Sequence, residues 1–223
     1  TPAQRISAIH GLRILPTVLE HHTADVVKRA ADEVVAVRLA AMNALKTVSS
    51  TTVGKYAANF FPLLDDSESD VRRLAVKLLK FLKTSVIAPY IPTLILKIGH
   101  PDPLIRSFAL KSLAKHDIAE LSQHVSAQDL YHMVDDANQK VRLAAVDALA
   151  CFSSASIAVL GESLMKLFLD QDRDPFLRQA ICIKLLPWVK PELIRNYEGH
   201  IVPKVDEAYK NLDSGDWNIR KEA

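Results

Sequence analysis

The sequence is poor in the residues that build disulfide-bonded, β-rich or membrane-spanning proteins. It has 2 cysteines, 6 glycines and 6% aromatic residues among 223. No Asn-Gly or Asp-Gly pair separates alternating apolar runs, so β-hairpins lack their strongest signal. No run of 18 apolar residues occurs, and the first residues lack the pattern of a signal peptide, so neither a membrane span nor secretion is expected. Because two cysteines do not make a disulfide framework, we expect a reducing compartment, the cytoplasm or nucleus.

Charge is distributed unevenly along the chain. The formal net charge is +2. Residues 1–115 carry 16 Lys and Arg against 9 Asp and Glu, whereas residues 116–223 carry 12 against 17. The first half is therefore basic and the second acidic, a split that concerns partners rather than fold.

One arginine recurs at nearly constant spacing. The repeat arginines are separated by 33, 34, 34, 36, 36 and 42 residues, and they are Arg5, Arg38, Arg72, Arg106, Arg142, Arg178 and Arg220. Apolar residues stand one before every repeat arginine except Arg5, and three, four and seven after every one except Arg220, as Val71, Ala75, Val76 and Leu79 do around Arg72. These offsets line one face of an α-helix. A period of this length is typical of two short helices and their turns, which stack into a solenoid.

The stretches DSESDVRRLAVKLL and DANQKVRLAAVDAL resemble the second helix of the HEAT repeat, with its Asp, Val and Arg. The resemblance covers essentially the whole chain. It implies an all-α superhelix of about six to seven helix pairs, in one array over residues 1–223 that is a fragment of a longer protein. We predict the first helices at about 23–31, 52–64, 86–98, 126–135, 156–169 and 199–212. Ser126 and Ser156 are the expected N-caps, and a short extra helix is expected at 191–197.

An aspartate stands six residues before most repeat arginines, although His100 and Ser214 replace it in two repeats. There it can accept backbone N–H bonds at a helix start and can face the arginine of an adjacent repeat. We therefore predict a structural ladder whose members are Asp32, Arg38, Asp66, Arg72, Arg106, Asp136, Arg142, Asp172 and Arg178.

The sequence offers no catalytic, metal or cofactor motif. The histidines lack ligand partners at suitable spacing, and no Cys-x-x-Cys, His-Glu-x-x-His or Gly-rich phosphate loop occurs. Cys151 and Cys182 fall at apolar helix positions and are expected to face inward. The carboxylate pairs near Asp65, Asp135 and Asp170 recur at one turn of the repeat, which favours helix capping over acid–base catalysis. We therefore expect a protein without enzymatic activity and without a cofactor.

A basic ridge is the one surface feature that stands out. Positions of the second helix that face away from the apolar stripe hold Arg13, Lys46, Arg73, Lys77, Lys80, Lys83 and Lys111. The equivalent positions in the second half are uncharged or acidic, as at Leu143 and Asp147. The resemblance places second helices on the concave face of the solenoid. The basic ridge is then either a solvated helix face or a groove for an acidic segment of a partner protein.

Three functions remain open. The leading one is a non-catalytic protein–protein interaction scaffold, because a solenoid exposes a long surface without a closed pocket. The tail GDWNIRKEA, with Trp217, looks like the opening of a tubulin-binding TOG domain, itself a HEAT array. Some HEAT-like proteins bind DNA, but a pI near 8.5 and the lack of aromatic residues among the lysines argue against nucleic acid. The sequence does not indicate the oligomeric state.

Overall fold

The computed structural model describes residues 1–200, and they fold into helices without a strand. The chain forms two compact units, of which the first is Thr1–His124 and the second begins at Val125. The all-α, repeat-solenoid fold class is therefore confirmed.

Unit 1, residues 1–124, contains eleven α-helices. Their bounds are α1 Pro2–Ile14, α2 Pro16–His21, α3 Thr23–Arg29, α4 Val35–Leu45, α5 Ser50–Gly54, α6 Ala57–Phe60, α7 Ser69–Lys80, α8 Thr84–Ile87, α9 Ile91–Lys97, α10 Pro103–Leu113 and α11 Ile118–Leu121. Two 3₁₀ turns, Pro62–Asp65 and Ala88–Tyr90, complete it.

The described part of unit 2, residues 125–200, contains six α-helices. Their bounds are α12 Ala127–Tyr131, α13 Gln139–Leu149, α14 Ser154–Val159, α15 Gly161–Leu169, α16 Pro175–Lys184 and α17 Pro191–Asn196. Two 3₁₀ turns, His132–Asp135 and Leu186–Trp188, interrupt them. Helix α17 matches the extra helix expected at 191–197.

The second helices, those that carry the repeat arginines, form the core of each unit. In unit 1 they are α1, α4, α7 and α10, and each packs against the next. In unit 2 they are α13 and α16, which pack together. The apolar stripe is buried as expected, since Val71, Ala75 and Leu79 are at most 1% exposed. The small alanine lets neighbouring helices approach closely, which explains why Ala recurs three residues after the arginine.

The first helices are shorter and more broken than the sequence predicted. The region expected as one helix over 52–64 consists of α5, α6 and a 3₁₀ turn, and the region over 86–98 is divided in the same way. Proline is one cause, because Pro62 and Pro89 lie in 3₁₀ turns and lack the N–H that would continue a helix. Helix α15 begins at the buried Gly161, where a Cβ would lie 2.8 Å from Leu193 Cδ2.

The predicted helix starts had mixed outcomes. Ser126 is the N-cap of α12 and forms a capping box with Asp129, as expected. Ser156 is not an N-cap; that position belongs to Ser153, whose hydroxyl accepts the Ser156 N–H. Three serines within four residues, Ser153, Ser154 and Ser156, make the N-cap ambiguous in the sequence. Arg220, Ser214, Trp217 and the first helix expected at 199–212 lie wholly or mostly outside the described residues.

Candidate partner-binding surface

The repeat arginine fixes the loop that precedes its own helix. Arg38 Nη1 donates to the carbonyl oxygens of Asp32 and Glu33 at 3.0 and 3.2 Å. Arg72, Arg106 and Arg142 make the same two bonds, to the carbonyls six and five residues earlier, at 2.8 to 3.2 Å. These bonds use backbone oxygens, so His100 can replace aspartate without loss of this contact. The sequence reasoning missed this role of the arginine.

The same arginines also connect successive repeats. In unit 1 the bonds are Arg5 to Asp32 at 2.9 Å, Arg38 to Asp66 at 2.9 Å and Arg72 to Asp102 at 2.8 Å. In unit 2 Arg142 Nη2 lies 2.6 Å from Asp174. A planar guanidinium can serve its own loop and the next repeat at once, which an ammonium group cannot do with the same geometry.

Two acceptors stand elsewhere than the sequence predicted. The ladder was expected to use Asp172, but Arg142 reaches Asp174, and Arg72 reaches Asp102. Both acceptors precede a proline at the first position of α10 or α16, and both cap that helix by accepting the N–H two residues on. The Asp-Pro pairs at 102–103 and 174–175 were the available signal, because an Asp N-cap followed by Pro typically starts a helix.

These two carboxyl groups have lowered pKa values. Burial raises the pKa of Asp102, but the hydrogen bonds from Arg72 and the Leu104 N–H outweigh it, and the pKa falls below its ordinary value. In Asp174, burial is again outweighed, here by hydrogen bonds from Arg142 and the Phe176 N–H. Both side chains are therefore held as carboxylates.

Asp65 and Asp135, the carboxylates next to the ladder, were expected from the sequence to cap helices, and they do not. Asp65 instead pairs with Lys97 at 2.5 Å. Asp135 pairs with Arg173 at 2.5 Å. These bonds again join neighbouring repeats within one unit, because their partners lie 32 and 38 residues apart. The recurrence of these carboxylates thus has a structural cause.

The ladder fixes the second helices of unit 1, and these helices present the basic ridge. Lys46 follows α4 directly, Lys77 and Lys80 lie in the last turn of α7, and Lys111 lies in the last turn of α10. Arg13 lies in the last turn of α1, and all seven ridge residues, including Arg73 and Lys83, are exposed. Cations at the C-terminal end of a helix are stabilised by its dipole, which helps to hold this concentration of charge.

The lysines of the basic ridge are not paired with any carboxylate of the described residues. Among residues 1–200, no Asp or Glu oxygen lies within 4.0 Å of Lys46, Lys77, Lys80, Lys83 or Lys111. Arg73 differs, because it pairs with Asp70 on its own helix at 3.3 Å. Elsewhere in unit 1 Lys28 pairs with Asp25 and Lys97 with Asp65, whereas Lys55 also has no carboxylate partner among residues 1–200. The ridge is distinguished by having several such lysines on adjacent second helices.

The ridge lysines on α7 and α10 are electrostatically coupled. Partial burial lowers the pKa of Lys80, and the charges of Lys111 and Lys115 lower it further. Lys115 is exposed and stands nine residues after Arg106. The sequence reasoning missed it, because an offset of nine from the arginine was not among those expected to face outward.

The equivalent face of unit 2 is different. Ile183 is exposed, and Asp147 is neutralised by Lys184. The ridge therefore belongs to unit 1, in agreement with the uneven distribution of charge along the sequence.

The structure shows no site for metal or nucleophilic chemistry in its described part. No group of three His, Cys, Asp or Glu side chains there could hold a metal ion. Burial raises the pKa of the Cys151 and Cys182 thiols, which disfavours the reactive thiolate. Cys182 is exposed, so the inward orientation expected for it is wrong. No helix within residues 1–200 is long and apolar enough to cross a bilayer.

Comparison with known proteins identifies the repeat. Residues 57–150 match the sequence family described as HEAT repeats. This match covers less than half of the chain, so it assigns HEAT repeats to this segment alone. No curated protein sequence matches the chain. The matched residues include the repeats of Arg106 and Arg142 and most of that of Arg72, and these three arginines bind their own loops in the same way.

Solved structures show the same fold at low sequence identity. An engineered protein is similar over 84% of this chain and 91% of its own length, with a TM-score of 0.61 and 15% identity. A computationally designed armadillo repeat protein for modular peptide recognition is similar over 85% of this chain and 98% of its own, with a TM-score of 0.61 and 16% identity. These likenesses concern the fold alone.

Proposed function

We propose that this chain is a non-catalytic scaffold that binds a partner protein, and that the basic ridge of unit 1 contacts an acidic segment of that partner. The unpaired lysines carry the proposal. Lys46, Lys77, Lys80, Lys83 and Lys111 are exposed on adjacent second helices and have no carboxylate partner among residues 1–200. A partner with Asp and Glu side chains would supply the missing charge.

The energetics favour such a partner over a merely solvated face. Partial burial is the main cause of the lowered pKa of Lys80, and the charges of Lys111 and Lys115 lower it further, so this repulsion costs free energy in the unbound protein. An anionic segment would relieve this repulsion when it binds. Steering by the positive field would also speed association, and salt would slow it.

The fold supports the same proposal. Stacked repeats present an extended surface, which suits a peptide or helix better than a small substrate. The armadillo protein with a similar fold was designed for modular peptide recognition. By analogy with other HEAT arrays, the second helices of this chain would line the concave face. The cytoplasm and nucleus are the proposed locations.

The test compares two triple variants with the same change in charge. Lys77→Glu, Lys80→Glu and Lys111→Glu reverse the ridge. Lys28→Glu, Lys55→Glu and Lys190→Glu reverse exposed lysines elsewhere. All six positions are exposed, so both variants should remain folded, with matching circular dichroism spectra.

Each variant is used to capture proteins from a cell extract, with quantitative mass spectrometry of what is retained. We expect the ridge variant to lose its acidic partners and the control variant to keep them. Identical retained proteins in wild type and ridge variant would refute the proposal. A duplex DNA probe is added in parallel, and binding of DNA that is lost only in the ridge variant would favour the nucleic-acid alternative. The tubulin alternative depends on Trp217, outside the described residues, and pelleting with microtubules tests it.

A further inference from the structure

A small apolar pocket lies beside the basic ridge. It has a volume of about 120 Å³ and lies where α4 and α5 meet the end of α7, all within unit 1. Five aliphatic side chains line it, and all are at least nine-tenths buried: Leu45, Val48, Val53, Leu78 and Leu82. The pocket thus belongs to the contact between two neighbouring repeats.

The mouth of the pocket contains an exposed aromatic ring. Phe81 lines the pocket and is 69% exposed. A partner that covers such an exposed phenylalanine gains binding free energy, because apolar surface is removed from water. It stands directly after α7, so its backbone is held by the end of a well-packed helix.

Positively charged residues also lie at or next to the pocket lining. Lys46 lines it, Lys80 precedes Phe81, and Lys83 follows Leu82 in the sequence. None of these three lysines has a carboxylate partner among residues 1–200.

The Glu20 carboxylate also lies near the pocket, because it accepts from Ser49 and Thr52, so the positive charge is on the side of Lys46 and α7. An apolar hollow with cations along that side is complementary to an apolar side chain next to carboxylates.

We propose that this pocket receives one aliphatic side chain, such as leucine, from the acidic segment that the basic ridge binds. This inference rests on the proposed function and adds a requirement to it, since charge alone would not distinguish one acidic sequence from another. The volume agrees, because a dry apolar cavity of about 150 Å³ accommodates a benzene ring. The lysines supply attraction and the pocket supplies sequence preference and register.

The experiment uses two fluorescein-labelled peptides of alternating Asp and Glu, one with a single central Leu and one with Ser in its place. Fluorescence anisotropy gives their dissociation constants for the full chain. We expect the Leu peptide to bind about tenfold more tightly than the Ser peptide, which corresponds to partial burial of one leucine side chain. Phe81→Ala should reduce this ratio to about threefold or less, since it removes one wall.

Ile14→Ala provides the matched control. Ile14 is 77% exposed and, like Phe81, stands nine residues after its repeat arginine, but it does not line the pocket. This variant should keep the wild-type ratio. Both substitutions are at exposed positions, and circular dichroism confirms that each variant is folded.

The possible outcomes separate the two proposals. If both peptides bind wild type equally, or if Phe81→Ala leaves the ratio unchanged, the pocket proposal is overturned while the ridge remains an acidic-segment site. If neither peptide binds wild type at the highest protein concentration tested, the ridge proposal is wrong and so is the pocket proposal that depends on it.

Discussion

Replacement of Arg38 by lysine should destabilise the protein although it preserves the charge. Arg38 donates to two carbonyls of its own loop through Nη1 and to Asp66 Oδ1 through Nη2 at 2.9 Å. The side chains of Arg38 and Asp66 are 11% and 9% exposed, so water competes little for these groups. Lysine has one nitrogen and cannot occupy both positions at once.

The magnitude follows from the bonds that are lost. A hydrogen bond that involves a charged group contributes about 1.5–3 kcal/mol to stability. Lysine would retain one of three such bonds, and the freed carbonyls of Asp32 and Glu33 lie near enough to the surface to regain part of their hydration. We therefore expect Arg38→Lys to cost about 2 kcal/mol. Arg38→Ala also leaves Asp66 without its cation, and we expect about 4 kcal/mol, within the range for a broken buried pair.

Urea unfolding followed by far-ultraviolet circular dichroism measures both costs. Arg73→Lys and Arg73→Ala are the controls, because Arg73 is 58% exposed and its pair with Asp70 is on the surface. They should change the free energy of unfolding by less than about 0.5 kcal/mol. If Arg38→Lys costs no more than Arg73→Lys, the geometry of the guanidinium is unimportant and our account of the recurring arginine is wrong.

Three further predictions concern acid, capping and packing. Because the pKa values of Asp102 and Asp174 are lowered, their contribution to stability is present above the unfolded carboxyl pKa of about 3.9 and disappears as pH falls through the lower folded values. In a series of urea titrations at decreasing pH, the Asp102→Asn, Asp174→Asn double variant should therefore lose less stability than wild type. Parallel dependence of the two stabilities on pH would contradict this. Ser126→Ala removes the capping box of α12 and should cost about 1 kcal/mol in urea unfolding, and no measurable cost would show that the cap is dispensable. Ala75→Leu should cost about 1–3 kcal/mol because the stripe has no room for a larger side chain, whereas Ala8→Leu at the exposed equivalent position should be nearly neutral in thermal unfolding.

The second helices could be predicted because several signals coincide in them. Around Arg72, the apolar residues at helical offsets and the acidic turn before them both indicate helix α7. The packing of α7 against its neighbours favours the same helix. The first helices carry fewer coincident signals. Pro62 and Pro89 each break a continuous apolar segment, and whether a proline starts, bends or ends a helix depends on packing that the sequence does not contain.

The ladder shows the limit of position-by-position reasoning. The expected acceptor was the residue six before the arginine, but Asp102 and Asp174 take this role from four residues before. The repeat length after Arg72 was read correctly from the sequence. The identity of the acceptor, however, depends on which carboxylate oxygen reaches the guanidinium in three dimensions. The role of the loop carbonyls was not predictable from residue types, because every residue has a carbonyl.

The surface was only partly predictable. Helical offsets placed Lys46, Lys77 and Lys111 on the exposed side, where the structure has them. They did not find Lys115 or the pocket beside Phe81, since both residues stand nine after their repeat arginines, an offset that was not expected to face outward. Whether the lysines were paired could not be predicted either, because the pairing of Lys97 with Asp65 depends on contacts between residues 32 apart.

Titration with an acidic peptide tests the central claim most directly. The fluorescein-labelled Asp-Glu peptide with a central Leu is titrated into wild type, the Lys77, Lys80 and Lys111 variant, and the control variant at Lys28, Lys55 and Lys190. We predict that the ridge variant binds at least about tenfold more weakly than wild type, that the control variant binds within about threefold of it, and that added salt weakens the wild-type complex. Equal loss of affinity in both variants would show that only net charge matters, and the basic ridge would then be no binding site.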